Sequence, residues 1–146
     1  MKTGPERALL DDYLARFDRT GRALGLGPAQ MHEVDDRKGG GMDAEADLLA
    51  RALPKGAVIV AMDERGKLIS SPDFSDKLAG WRDTGRGDVA FVIGGADGIA
   101  PALRDRAEFT LSFGKMVWPH MLARVMLSEQ LYRAASILAG APYDRA

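Results

Sequence analysis

The sequence predicts a three-layer α/β fold with a mostly parallel sheet. Two short apolar runs rich in β-branched residues, Ala57–Met62 and Val89–Ile93, have the length and composition of strands buried on both faces. Stretches of helical period alternate with these runs, which is the pattern of βαβ units rather than of segregated strands and helices. Two predicted strands end in loops carrying glycine or proline: Gly94-Gly95-Ala96-Asp97-Gly98, and Gly114-Lys115-Met116-Val117-Trp118-Pro119-His120 after Phe113. An open α/β sheet binds its ligands outside such strand ends.

The elements follow in order. Thr3 and Glu6 have the spacing of a capping box, and Pro5 suits a first helical turn. Leu9, Leu10, Tyr13, Leu14 and Phe17 then recur at helical spacing. Arg16, Arg19 and Arg22 cluster at the end of this helix, either as a solvated end that complements the helix dipole or as an edge that contacts phosphate. Gln30–Val34 is a weak strand candidate. Asp35–Gly41 is polar and glycine-rich and reads as a loop. Asp43 can cap a second helix reaching Leu53, with Ala46, Leu49, Ala50 and Leu53 on one face.

After the strand at Ala57–Met62 a turn is expected at Glu64–Gly66. Ser71-Pro72 reads as a helix start with serine as the cap, and Phe74, Leu78 and Trp81 form the buried face. The strand at Asp88–Ile93 precedes a helix opened by Ala100-Pro101, with Leu103 and Ala107 inward, and Phe109–Phe113 is the next strand. Met121–Leu138 is the last helix. Its apolar residues, from Leu122 and Val125 to Ala135 and Leu138, nearly encircle it, so it is expected to be buried on more than one side and to meet a second subunit.

Length and composition set limits. The 146 residues suit a single domain over 1–146, and 46% hydrophobic with 28% charged residues fits a globular protein with a real core. No cysteine is present, which excludes disulfides, thiolate catalysis and cysteine-bound zinc; with only His32 and His120, no metal site is expected. His32 is read as an ordinary strand residue. No apolar run approaches the roughly 20 residues of a membrane span, and the amino terminus lacks the apolar core of a signal peptide, so a cytoplasmic protein is expected. A net charge of −1 gives no global attraction to nucleic acid, so any such contact must come from local arginines.

Some residues carry chemistry. The 94–98 loop lacks the Gly-Lys-Ser/Thr of a phosphate loop and the spacing of the dinucleotide fingerprint. Its glycines stand at a predicted strand end, where absent side chains let a ligand approach the backbone. His120 falls at the entry of the last helix, where the dipole and free N–H groups favour an anion. Glu129 and Arg133 are spaced to pair along that helix, with Arg124 on the same polar stripe. They form either an ion pair that stabilises an interface or a substrate contact.

Three segments carry a resemblance: Val-Ile-Gly-Gly-Ala-Asp-Gly over 92–98, Leu-Ser-Phe-Gly-Lys-Met-Val-Trp-Pro-His over 111–120, and Arg-Val-Met-Leu-Ser-Glu-Gln-Leu-Tyr-Arg-Ala over 124–134 with Pro142-Tyr143. Together they closely resemble the ribosomal RNA large subunit methyltransferase H family, and the resemblance runs from about Thr3 to the carboxyl end. These are SPOUT-class enzymes with a C-terminal trefoil knot, which steric and topological rules alone would predict against. The resemblance implies a homodimer that uses S-adenosylmethionine to methylate N3 of a pseudouridine in large-subunit ribosomal RNA. It places the cofactor against Met62, Gly94 and the stretch Phe113, Gly114, Lys115, Met116, Val117 and Trp118. For that reaction His120 and Arg124 are the candidate catalytic groups, assigned to contact with the uridine or its phosphate, and Glu129, Arg133 and Tyr143 are candidate substrate residues, with Glu129 expected chiefly to fix the arginines.

Two departures from the family pattern stand out. Members begin with a strand before the first helix, whereas here Met-Lys-Thr-Gly-Pro-Glu joins at the loop after it; a missing strand would leave its neighbour's backbone groups unpaired. The family tail Pro-Tyr-His is Pro142-Tyr143-Asp144 here, which removes a histidine from the substrate side. An alternative function is therefore a catalytically impaired dimeric protein that binds RNA or the ribosome. With few phosphate contacts available to a nearly neutral chain, the assembled ribosome rather than short naked RNA is the expected partner.

Overall fold

A computed structural model describes residues 4–34, 41–94 and 98–145, which divide into two compact units. One comprises residues 31–68 and 86–120, the other residues up to 30, 69–85 and 121 onward.

The 31–68/86–120 unit holds the sheet. Strands β1 (Val58–Lys67), β2 (Val89–Ile93) and β3 (Phe109–Leu111) are parallel and ordered β2-β1-β3. The α/β class and parallel sheet agree with expectation. Val58, Ile59, Val60 and Ala61 are all buried, so the central strand is covered on both faces, as its uninterrupted apolar composition requires. On one face Ile59, Ala61 and Val92 pack with Ile99 and Leu103. Ala46, Leu49, Ala50 and Leu53 close this cluster from helix α2 (Gly41–Ala52) and the residue after it. Leu103 belongs to the short helix α4 (Pro101–Asp105), and Ala107 follows it against the same cluster. At the amino ends of the strands, Arg86 pairs with Glu108 at 2.7 Å and also reaches the Gly56 carbonyl. Its guanidinium holds the Glu108 carboxyl below the ordinary range.

Several expectations need correction in this unit. Gln30–Val34 forms no strand: only Met31 and Val34 are apolar, too little to hold a segment against the sheet, and His32 is exposed. Strand β1 does not stop at Met62. It continues to Lys67 through an irregularity, because Met62 and Lys67 both pair with Leu111, and the expected turn at Glu64–Gly66 lies inside that register shift. Strand β3 ends at Leu111: the Ser112 N–H still reaches the Lys67 carbonyl, while its hydroxyl bonds to the Gly114 carbonyl in the loop that follows. Asp43 sits within the first turn of α2, not at its cap, where its charge still complements the dipole. The Asp35–Gly41 loop falls outside the described residues apart from Gly41, as do Gly95, Ala96 and Asp97.

The second unit is helical. Helix α1 (Pro5–Gly21) starts from Gly4, with Pro5 in its first turn and no side-chain cap bond; the capping box expected from Thr3 falls outside the described residues. Helix α3 (Ser71–Asp83) is capped by Ser70, whose hydroxyl accepts from the Asp73 N–H at 3.1 Å, so the cap is one residue earlier than expected. Proline is tolerated at either of the first two helical positions because those N–H groups have no helical acceptor, and Ser-Pro alone therefore does not fix the cap. Phe74 and Leu78 are buried as expected, whereas Trp81 is only half-buried. Helix α5 (His120–Leu138) buries Leu127, Ser128, Leu131, Ala134, Ala135 and Ser136, a broad face, and leaves Leu122 exposed. Ser71 donates to Gln130 at 2.7 Å, and the fully buried Ser75 donates to the Ala134 carbonyl, which ties α3 to α5 through polar bonds within an apolar contact.

Candidate active site

The strand ends build the first part of the site. Met62 pairs with Ile93 on one side and Leu111 on the other, so these three residues form one row across the sheet. The loops after Ile93 and Leu111 therefore leave the sheet at its carboxyl edge, on either side of Met62 in β1. This is where an open parallel sheet receives a ligand. Met62, Gly94, Phe113, Gly114, Lys115, Met116, Val117 and Trp118 are all placed along this edge or in the loop that leaves it.

The loop conformations have identifiable causes. A Cβ on Gly94 would come within 2.5 Å of the Gly98 backbone, so only glycine lets the chain fold back there. Gly114 has φ of 125°, with open space where a Cβ would stand. Ser112 organises the other loop: its hydroxyl donates to the Gly114 carbonyl at 2.9 Å and accepts from the Gly114 N–H at 3.0 Å. The same hydroxyl lies 3.2 Å from the Glu64 carbonyl, and the Ser112 N–H bonds to the Lys67 carbonyl. Beyond Gly114 the side chains turn outward. Met116 is 74% exposed, Val117 78% and Trp118 42%, an unusual cost for three successive apolar residues.

Sequence reasoning missed the polar anchor beneath this edge. Asp63, directly after Met62, is buried, and its carboxylate accepts from the Arg65 N–H at 2.8 Å and from two guanidinium nitrogens of Arg65 at 2.9 and 2.8 Å. Arg104 approaches at 3.7 Å. These donors hold the Asp63 carboxyl below its ordinary value, with the Arg65 side chain the largest cause. The signal was available: an aspartate that bonds the N–H two residues on is an Asx-turn, and Asp63-Glu64-Arg65-Gly66 has that form. The turn also requires Gly66, whose Cβ would meet the Thr110 carbonyl at 2.6 Å.

The helical unit holds a polar group of its own. Glu129 accepts from Arg133 at 2.8 Å, from the Tyr143 hydroxyl at 2.7 Å and from Gln130 at 3.1 Å. Arg133 also donates to Asp144 at 2.9 Å, and its guanidinium lies 4.9 Å from the centre of the Tyr143 ring. Glu129, Arg133 and Tyr143 are thus brought together, and Asp144 joins them. Burial first, then the Glu129 and Tyr13 bonds, pushes the Tyr143 phenol up. It stays protonated as a donor across the neutral range. The Tyr143 ring lies 4.6 Å from that of Tyr132, tilted by 54°, and Tyr132 lies 6.4 Å from Tyr13.

His120 is the exposed first residue of α5, and Arg124 is half-buried one turn on. Five residues of helix rotate by about 140° beyond a full turn, so Arg124 does not share a stripe with Glu129; it follows His120 instead. Among the described residues no group of three or more histidines, aspartates and glutamates could hold a metal ion, and no helix is long and apolar enough to cross a membrane.

This arrangement can be set beside known proteins. The family model described as "Predicted SPOUT methyltransferase" matches residues 1–144. The chain belongs to the SPOUT methyltransferases. Similar SPOUT proteins include those of Dinoroseobacter shibae at 72% identity, Ruegeria pomeroyi at 70% and Roseobacter denitrificans at 70%. Each alignment covers 99% of this chain and 93% of the relative, and each relative is named ribosomal RNA large subunit methyltransferase H. The family resemblance read from the three motifs is thereby borne out.

Proposed function

We propose that this SPOUT methyltransferase moves the methyl group of S-adenosylmethionine to N3 of a pseudouridine in large-subunit ribosomal RNA, acting in the cytoplasm as a homodimer. The observation that carries the reading is the row Met62–Ile93–Leu111, which sets the loops after Ile93 and Leu111 at one sheet edge in a chain about 70% identical to rRNA methyltransferases. The residues present fit the cofactor. Gly98 and Gly114 leave open space beside their backbones, so peptide groups can approach a ligand, and Met62 and Phe113 offer apolar contact to an adenine. When bound, S-adenosylmethionine supplies an electrophilic methyl group.

The chain's own contribution is chiefly positioning and handling of the N3 proton. His120, exposed at a helix start, and Arg124 would contact the uridine or its phosphate. Glu129 accepts a hydrogen bond from the Tyr143 hydroxyl and pairs with Arg133, which holds both side chains in a defined geometry, and the phenol oxygen would serve substrate as an acceptor. The exposed Met116, Val117, Trp118 and Leu122 fit burial against a second copy.

Calorimetric titration with S-adenosylmethionine should give saturable binding. Methyl transfer to ribosomes lacking the modification should then exceed transfer to short naked RNA. His120→Ala should retain cofactor binding and lose transfer; full activity of that variant would remove His120 from its role.

One observation favours a second reading, that of a catalytically impaired dimeric RNA-binding protein. Asp144 stands where the family has a tail histidine and is bonded to Arg133. Tight cofactor binding without methyl transfer would select that reading.

A further inference from the structure

Helix α1 presents Asp12, Arg16, Arg19 and Thr20 at spacings of four, three and one, which places them along one face. With Tyr132 of α5 they line an open groove of about 280 Å³ within the helical unit. Arg22, grouped with these arginines by sequence, does not line it. Arg16 donates from Nε to Asp12 at 3.1 Å, and its guanidinium stands 5.8 Å from the centre of the Tyr132 ring. The ring and the carboxylate together fix the direction of the Arg16 fork. Arg19 is exposed and makes no ion pair among the described residues. Two guanidinium groups against one carboxylate leave the groove positive in a chain whose net charge is −1.

An exposed, unpaired arginine beside one that is paired to a carboxylate and lies near a tyrosine ring is a geometry suited to phosphate oxygens. The groove is open, so it suits a chain of phosphates running through it better than an enclosed small anion. It is also connected to the candidate substrate residues of the same unit, since the Tyr132 ring lies against that of Tyr143, 4.6 Å between centres and tilted by 54°.

We propose that the Asp12–Arg16–Arg19–Thr20–Tyr132 groove holds the phosphodiester backbone of the RNA substrate. Arg16 and Arg19 supply the charge, Thr20 a hydroxyl donor, and Asp12 a carboxylate that aligns Arg16 while opposing the RNA. This rests on the reading of the chain as an RNA methyltransferase and adds to it a site within the helical unit.

The test uses full-length protein and ribosomes lacking the modification. Arg19→Ala should raise KM for ribosomes several-fold, and the double variant Arg16→Ala/Arg19→Ala more. Each lost arginine should make the salt dependence of binding shallower by about 0.7 in the log–log slope. Asp12→Asn should act in the opposite direction and lower KM, because it removes a repulsive charge and keeps a partner for Arg16. S-adenosylmethionine affinity, measured by calorimetry, separates a folding defect from a lost contact. Opposite shifts for Arg19→Ala and Asp12→Asn support the groove. Unchanged KM and salt slope in a wild-type background that does methylate ribosomes overturn it, as does inorganic phosphate binding at the groove without any effect of the variants on RNA. Absence of methyl transfer by the wild type would instead count against the enzymatic reading itself.

Discussion

At the scale of single residues, Asp63 has the most definite electrostatic consequence. Its carboxyl is held below its ordinary value of 3.8 by Arg65 and Arg104, so the folded state binds this proton more weakly than the unfolded chain. The sign follows: the contribution is present in full above that ordinary value and is lost as pH falls below it. Asp63→Asn should lower stability at neutral pH by about 2 kcal/mol, the scale of hydrogen bonds to a charged group. It should also flatten the acid limb of a stability–pH curve measured by urea denaturation. An unchanged acid limb would show that Asp63 does not carry it. Glu129 is the second such residue. Removing its carboxylate in Glu129→Ala strands the Arg133 guanidinium and the Tyr143 hydroxyl. A loss of about 2 kcal/mol is expected, the scale of hydrogen bonds to a charged group and less than for a fully buried pair, since both side chains are partly exposed, whereas Glu129→Gln should recover part of it. Equal stability of the alanine variant in thermal denaturation would contradict the network. The Glu129–Arg133 pairing was legible from spacing, but the partners Tyr143 and Asp144 lie 14 and 11 residues away from Glu129 and Arg133. No local pattern states which of several polar side chains a tail will meet.

At the scale of elements, burial pattern decided what propensity could not. The apolar runs gave the amino-terminal parts of β1 and β2 correctly because a strand covered on both faces must be apolar throughout. The polar continuation of β1 through Asp63, Glu64 and Arg65 reads as a turn by composition. It is strand because Asp63 satisfies the Arg65 N–H locally and Lys67 rejoins Leu111. Conversely, Gln30–Val34 has too little apolar surface to pair, and no ladder forms there. Gly94 tests the link from element to function. Gly94→Ala must push its Cβ into the Gly98 backbone, which cannot yield as a flexible side chain would. The expected result is a protein whose helices remain, seen by circular dichroism, with S-adenosylmethionine affinity reduced at least tenfold. Wild-type affinity would mean that this loop does not form the cofactor edge.

At the scale of the whole molecule, the exposed Met116–Trp118 segment and Leu122 call for cover. Sedimentation equilibrium should find a dimer, and Trp118→Ser should weaken it while leaving the buried Leu127 and Leu131 untouched. A monomeric wild type at micromolar concentration would refute the dimer. By itself the sequence determined the α/β class, the positions of the glycine loops, the amphipathic helices and, through three motifs, the methyltransferase family, because each is written in spacings of a few residues. The tertiary structure alone decided the row Met62–Ile93–Leu111, the approach of Arg104 to Asp63, and the meeting of Glu129 and Arg133 with Tyr143 and Asp144. Strand register and side-chain pairing depend on which surfaces exclude water together, and that is a property of the folded chain in space rather than of any window along it.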